Sequence, residues 1–249
     1  MKKYLFILSA VFFILFLYSC KKENETYQTA KLNDYYPLET GKYITYKLDS
    51  LVYLSFGTIE AIHSYEAKYV VDSLITDNLG RPAYRIFRFI RKQSTDPWVS
   101  SGTSMAINTN KSVEFIENNL RYIKLTLPVT NDISWKGNQF IDTWSLNSEL
   151  MYLNDWDYNY HAIGEPATIG NYNLNNTITI QQRDETLGDR QDPYVLYCEG
   201  NFAEEKYAQG IGLVYRNFSH YEFQRPDTLL PGIYFDGSYG VKLTMIDHN

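Results

Sequence analysis

The sequence predicts an all-β fold: an antiparallel, strongly curved sheet forming an open barrel or a sandwich, with few short helical turns. Three observations predict it. Short runs of period-two alternation recur with turn clusters between them, the pattern of strands with one wet face. Aromatic residues reach 16% of the 249-residue chain and 23 of them are Tyr, a side chain that packs its ring on a sheet while its hydroxyl stays wet. No long segment carries the 3.6-residue apolar stripe of an amphipathic helix.

Taken in order, Pro37 and Gly41 bracket a turn into a first strand, where Tyr43, Thr45, Lys47 and Asp49 alternate with Ile44, Tyr46, Leu48 and Ser50. A second strand is expected over Ser64 to Ile75. The turn cluster from Thr76 to Pro82 then leads into its hairpin partner, Tyr84 to Arg91, in which Arg88 breaks the alternation. Trp98 to Ile107, Ser112 to Glu117 and Leu120 to Leu127 continue the meander as far as Pro128. The stretch Asn131 to Asn138 reads as loop, and Ser148 to Asn154 and Ala203 to Ala208 are the candidate helical turns. Strands resume at Asn176 to Gln182, followed by an acidic loop from Asp184 to Asp192. Tyr194 to Glu199, Ile211 to Phe218, Tyr221 to Arg225 and Gly240 to Ile246 complete the set. Gly210 and Gly212 flank Ile211, a spacing that predicts positive φ or close backbone approach at a strand entry. No Pro/Gly/Ser linker and no internal repeat divides the body, so a single antiparallel β domain is expected over 34–249.

Ahead of that body, Lys2 and Lys3 precede an apolar run from Tyr4 to Leu17, and the chain turns polar at Lys21-Lys22-Glu23-Asn24-Glu25. A basic start, an apolar core and a small residue before a cut form a secretory signal. The run is shorter than the ~20 residues that span a bilayer core. Leu17-Tyr18-Ser19-Cys20 resembles a bacterial lipobox. We therefore expect a lipoprotein signal peptide over 1–19, a lipid on Cys20, and a lipidated polar tether over 20–33. With Cys20 acylated, Cys198 has no disulfide partner, and its apolar strand-like setting reads as a buried small hydrophobe.

Four further segments carry a resemblance. Tyr36-Pro37-Leu38-Glu39-Thr40-Gly41-Lys42-Tyr43-Ile44-Thr45-Tyr46, Ser134-Trp135-Lys136-Gly137-Asn138, Lys206-Tyr207-Ala208-Gln209-Gly210-Ile211-Gly212-Leu213-Val214-Tyr215-Arg216 and Val241-Lys242-Leu243-Thr244-Met245-Ile246-Asp247 together resemble a Bacteroidota cell-envelope lipoprotein family of unknown function. The resemblance implies a β-rich envelope domain and outer-membrane placement, on either the periplasmic or the surface face. It brings no catalytic residues.

The remaining chemistry is read residue by residue. A formal charge of −6 argues against nucleic acid, whose affinity rests on basic patches. The four His are not paired at metal-ligand spacing. Asp155-x-Asp157-x-Asn159 opens like a calcium loop, but Tyr160 and Pro166 stand where that loop needs Gly and Glu. No metal and no cofactor is expected. Trp135, Trp144, Trp156, Tyr158 and Tyr160 are the candidate ligand-binding set, because aromatic rings stack on sugars or line apolar grooves; the competing reading makes them the plug of a barrel end. Asp49-Ser50-Leu51, Asp72-Ser73-Leu74 and Asp227-Thr228-Leu229 resemble an O-glycosylation acceptor of that bacterial group, which makes Ser50, Ser73 and Thr228 candidates. The function expected is a non-enzymatic binding or structural module for a glycan, lipid or protein partner, held to the membrane through Cys20. The alternative is a glycosidase-like envelope hydrolase using a carboxylate pair such as Glu204-Glu205 or Asp155 and Asp157.

Overall fold

The computed structural model describes residues 31–249; the expected signal peptide, Cys20 and most of the expected tether lie outside the described residues. A first antiparallel meander contains β1 (Tyr43–Leu54), β2 (Ile59–Thr76), β3 (Pro82–Arg91), β4 (Val99–Asn108), β5 (Ser112–Glu117) and β6 (Leu120–Thr126). A second contains β7 (Ser134–Trp135), β8 (Tyr158–Ile169), β9 (Tyr172–Leu187), β10 (Tyr197–Ala208) and β11 (Gly212–Gln224). The short β12 (Ile233–Tyr234) pairs with β11, and β13 (Tyr239–His248) inserts between β1 and β11, joining the two meanders into one sheet. The strand order is β6-β5-β4-β3-β2-β1-β13-β11-β10-β9-β8-β7. The expected all-β antiparallel class is thus the observed one, a sheet curled until it nearly closes into a barrel with a seam.

At the seam β6 faces β7 and β8 without a regular ladder, and side chains take its place. Tyr160 Oη donates to the Thr126 carbonyl at 2.6 Å and accepts from the Thr126 amide at 3.0 Å. Trp135 Nε1 donates to the Ile123 carbonyl at 2.9 Å, and the Ile123 amide donates to the Gly137 carbonyl at 2.9 Å. These bonds satisfy edge groups that would otherwise be a template for a foreign strand.

One barrel end is stoppered by the N-terminal segment. The single-turn helix α1 (Leu32–Tyr35) buries Leu32 and Tyr35, and Tyr35 Oη donates to Asn176 Oδ1 at 2.8 Å. The Gly210 amide donates to the Asp34 carbonyl at 2.6 Å. Tyr36 follows into the interior against the rings of Phe115 and Tyr207. Gly210 and Gly212 have φ of 78° and 115°, left-handed conformations at the entry to β11 that glycine reaches without steric cost.

The sequence reading departs from the structure at several places. Ala203 to Ala208 is not a helical turn but the second half of β10. Its Ala-Glu-Lys composition favours helix, yet β9 and β11 pair with it on both sides and that tertiary pairing overrides the preference. The stretch after Asp157, read as lying before strands resume, is β8, whose register shifts three times against β9 and so blurs its alternation. The acidic loop begins later than expected because β9 continues to Leu187. The two strands read over Ile211 to Arg225 are one, β11. The other candidate helical turn contains a 3₁₀ turn, Met151–Leu153.

Candidate functional site

The interior of the barrel is apolar at both flanks and ionic in the middle. Alternation aims Arg88 on β3, Glu117 on β5, Lys124 on β6, Glu205 on β10 and Arg216 on β11 at one another. Lys124 Nζ lies 2.6 Å from Glu205 Oε1, and both side chains are buried. Tyr207 Oη donates to Glu205 Oε2 at 2.6 Å. Arg216 reaches Glu117 at 3.4 Å and Glu205 at 3.7 Å. Arg88 pairs with Glu117 and donates to Asn118 Oδ1 at 3.1 Å. Burial alone would raise the Glu205 carboxyl, but Lys124 and Arg216 outweigh it and hold it below the usual carboxylate range. Burial pushes Lys124 below the ordinary lysine value against the pull of that carboxylate. Burial opposes the charge of Arg216 as well, and Glu117 and Glu205 overcome it, raising the guanidinium. Beside this network lies a cavity of about 70 Å³ whose apolar walls include Tyr36, Leu38, Tyr69, Ile86 and Leu243, with Glu117, Lys124, Glu205 and Arg216 also on its lining.

The five candidate aromatics do not share one groove. Tyr158 and Tyr160 are buried, and Trp135 packs against both with ring centroids 5.9 and 5.0 Å away. Trp156, also buried, sits with Tyr152 and Phe218 and donates from Nε1 to the Tyr152 carbonyl at 2.7 Å. Trp144 stands apart at 79% exposure.

Trp144 is held in place all the same. Asp142 Oδ1 accepts from the amides of Trp144 and Ser145 at 3.1 and 3.0 Å, Ser145 Oγ donates to Asp142 Oδ2 at 2.5 Å, and Ser148 Oγ donates to the Asp142 carbonyl at 2.7 Å. These donors, Ser145 foremost, hold the Asp142 carboxyl below its ordinary range. The ring borders a surface cleft of about 310 Å³ lined also by Lys136, Gln139, Thr143, Asn154 and Asp155. Thr143 Oγ1 donates to Asn154 Oδ1 at 3.1 Å, and no hydrogen bond is seen for the Asn154 side-chain N–H₂ or the Gln139 side-chain carboxamide among the described residues.

A glycosidase acid needs a carboxyl whose pKa is raised. Glu204 and Glu205 project to opposite faces of β10, and Glu204 pairs with Lys206 at 3.2 Å. Asp155 and Asp157 both bind Lys136, at 2.6 and 2.9 Å, and the Lys136 hydrogen bond lowers Asp155. Glu205 and Asp155 are both held below the ordinary carboxylate range, the opposite of what that acid needs. Cys198 is fully buried and has no disulfide partner among the described residues. Of the candidate modification sites, Thr228 is exposed in the loop after β11, whereas Ser50 and Ser73 are half-buried on β1 and β2. No group of three or more His, Cys, Asp or Glu is placed to hold a metal among the described residues.

Sequence reasoning missed the ionic interior. Arg88 is its visible signal, a charge at an apolar parity of β3; the helical reading of 203–208 hid the inward aim of Glu205, which entered only as half of the Glu204-Glu205 pair.

No family model and no curated protein matches the chain. Among solved structures, it is similar to a Bacteroides fragilis protein with a YmcC-like fold, at TM-score 0.38 and 9% identity, over 86% of this chain and 99% of that one. The functional reading is therefore carried by this chain's own residues.

Proposed function

We propose that this protein is a lipid-anchored, non-enzymatic binding module of the cell envelope that holds a carbohydrate in the cleft beside Trp144. The observation that carries the reading is a large aromatic face left in water on a loop fixed by Asp142. An indole exposed to that extent forgoes the burial that stabilises most tryptophans. Fixing its loop in advance lowers the ordering cost of binding. The cleft supplies what a sugar recognises: a flat ring for its C–H face, and the Asn154 and Gln139 amides for its hydroxyls. Its size is at the lower end of the ~300–1,000 Å³ that small-molecule sites occupy. The Cys20 lipid would keep this module at a membrane surface.

An array of neutral and acidic oligosaccharides identifies the ligand, and tryptophan fluorescence titrates the strongest hit. Trp144 is the most exposed of the Trp side chains, so quenching of its emission reports on the cleft. Trp144→Ala is expected to weaken binding tenfold or more, about 1.4 kcal/mol, without lowering the thermal midpoint. An array without hits, or affinity unchanged in Trp144→Ala, overturns the reading.

A further inference from the structure

The interior network is charge-imbalanced. Three cations, Arg88, Lys124 and Arg216, face two carboxylates, Glu117 and Glu205. The network is largely but not wholly desolvated, with Arg88 and Glu117 each 14% and Arg216 20% exposed at the side chain, and an excess charge in such a setting is costly unless an opposite charge joins it. The shortfall falls on identifiable donors. A guanidinium carries five N–H groups, yet among the described residues the single hydrogen bond of Arg216 is the 3.4 Å one to Glu117. Arg88 Nε is buried without a partner. Lys124, by contrast, is taken up by Glu205 at 2.6 Å.

We propose that the barrel interior is a binding site for a short-chain carboxylate, its carboxylate seated on Arg216 and its alkyl chain against Tyr36, Leu38, Ile86 and Leu243. The added anion balances the network. The planar fork of arginine matches a carboxylate in geometry as well as charge. The lining is mainly apolar away from the ionic end, so an inorganic anion would leave much of the wall uncovered. A cavity of about 70 Å³ is roughly half the ~150 Å³ that accommodates benzene, which restricts the occupant to a few carbons. This site is separate from the Trp144 cleft and stands or falls independently of it.

The test compares propionate with propan-1-ol, propylammonium, chloride and hexanoate by isothermal titration and by ¹³C line broadening of labelled propionate, on the mature chain. Propionate is expected to bind at least tenfold more tightly than each of the other four. Arg216→Gln should abolish the preference. Because that variant removes an ion-pair partner of Glu117 and of the buried Glu205 and can unfold the barrel, Ile86→Phe provides a second arm: it fills the cavity, keeps the network and should lower propionate affinity at least tenfold in a folded protein. Equal binding of propanol, equal binding of chloride, or no propionate binding to the wild-type chain would each overturn the assignment.

Discussion

Glu205 is almost wholly buried, and what keeps it there is specific: the Lys124 ammonium, the more distant Arg216 guanidinium and the Tyr207 hydroxyl. Removing one partner of such a pair leaves an uncompensated charge in a low-dielectric interior. Lys124→Met is therefore expected to lower unfolding stability by about 3–5 kcal/mol, read from urea midpoints at constant slope. The double variant Lys124→Met/Glu205→Gln retains an acceptor for Tyr207 and removes the orphaned charge, so it should regain at least half of that loss. The pH dependence follows from Glu205. Its folded pKa lies below its ordinary value of 4.5, so its contribution is present above that value and is lost as pH falls through the folded pKa. A single variant within about 1 kcal/mol of wild type, the size of one ordinary hydrogen bond, would show that the pair holds nothing.

At the scale of elements, the seam is where strand chemistry is completed by side chains. One phenolic oxygen on β8 serves both the amide and the carbonyl of Thr126 on β6. Tyr160→Phe keeps the ring in the core and deletes both bonds. Stranding the two backbone groups should cost about 1–3 kcal/mol, and amide hydrogen exchange should accelerate at Thr126 more than at Val113 on β5. Uniform acceleration, or none, would mean that other contacts hold the seam. The same element shows what was legible beforehand. β1 alternates cleanly, and β1 and β3 to β6 were readable to within a few residues from their apolar runs and the turn clusters between them. β8 was hidden by its bulges, and β10 by helix-favouring residues whose strand state is imposed by neighbours far away in sequence. A strongly curved sheet was expected, as an open barrel or a sandwich, but which edges meet could not be read, because nothing local marks β6 and β8 as facing edges. The aromatic set was legible as residues but not as geometry: one-dimensional spacing does not separate Trp144, in water, from Trp156, twelve positions on and buried.

For the whole molecule, the placement of α1 sets the orientation that an anchor would impose. The chain enters the barrel at the end that carries Gly210, and β1 then runs twelve residues away from it. At the far end Phe56, Leu229 and Leu230 are exposed, and the Tyr234 amide ties β12 to the β1–β2 turn through the Gly57 carbonyl at 2.9 Å. Residues 21–30 reach at most about 35 Å when fully extended, so a lipid on Cys20 would keep the α1 end toward the bilayer and turn the far end away from it. Each buried acyl methylene contributes ~0.8 kcal/mol, and stable attachment takes more than one chain. The wild-type protein from its own host is accordingly expected to partition into detergent with a mature mass beginning at Cys20 plus acyl chains. Cys20→Ala should move it to the aqueous phase with the fold, read by circular dichroism, unchanged. Intact mass from the same preparation also detects any glycan on Ser50, Ser73 or Thr228, of which exposed Thr228 is the most accessible acceptor. A wild-type mass without acyl chains, or a Cys20→Ala protein that stays with the membrane, would remove the anchor and with it this orientation, while leaving the Trp144 cleft and the Arg216 cavity to their own tests.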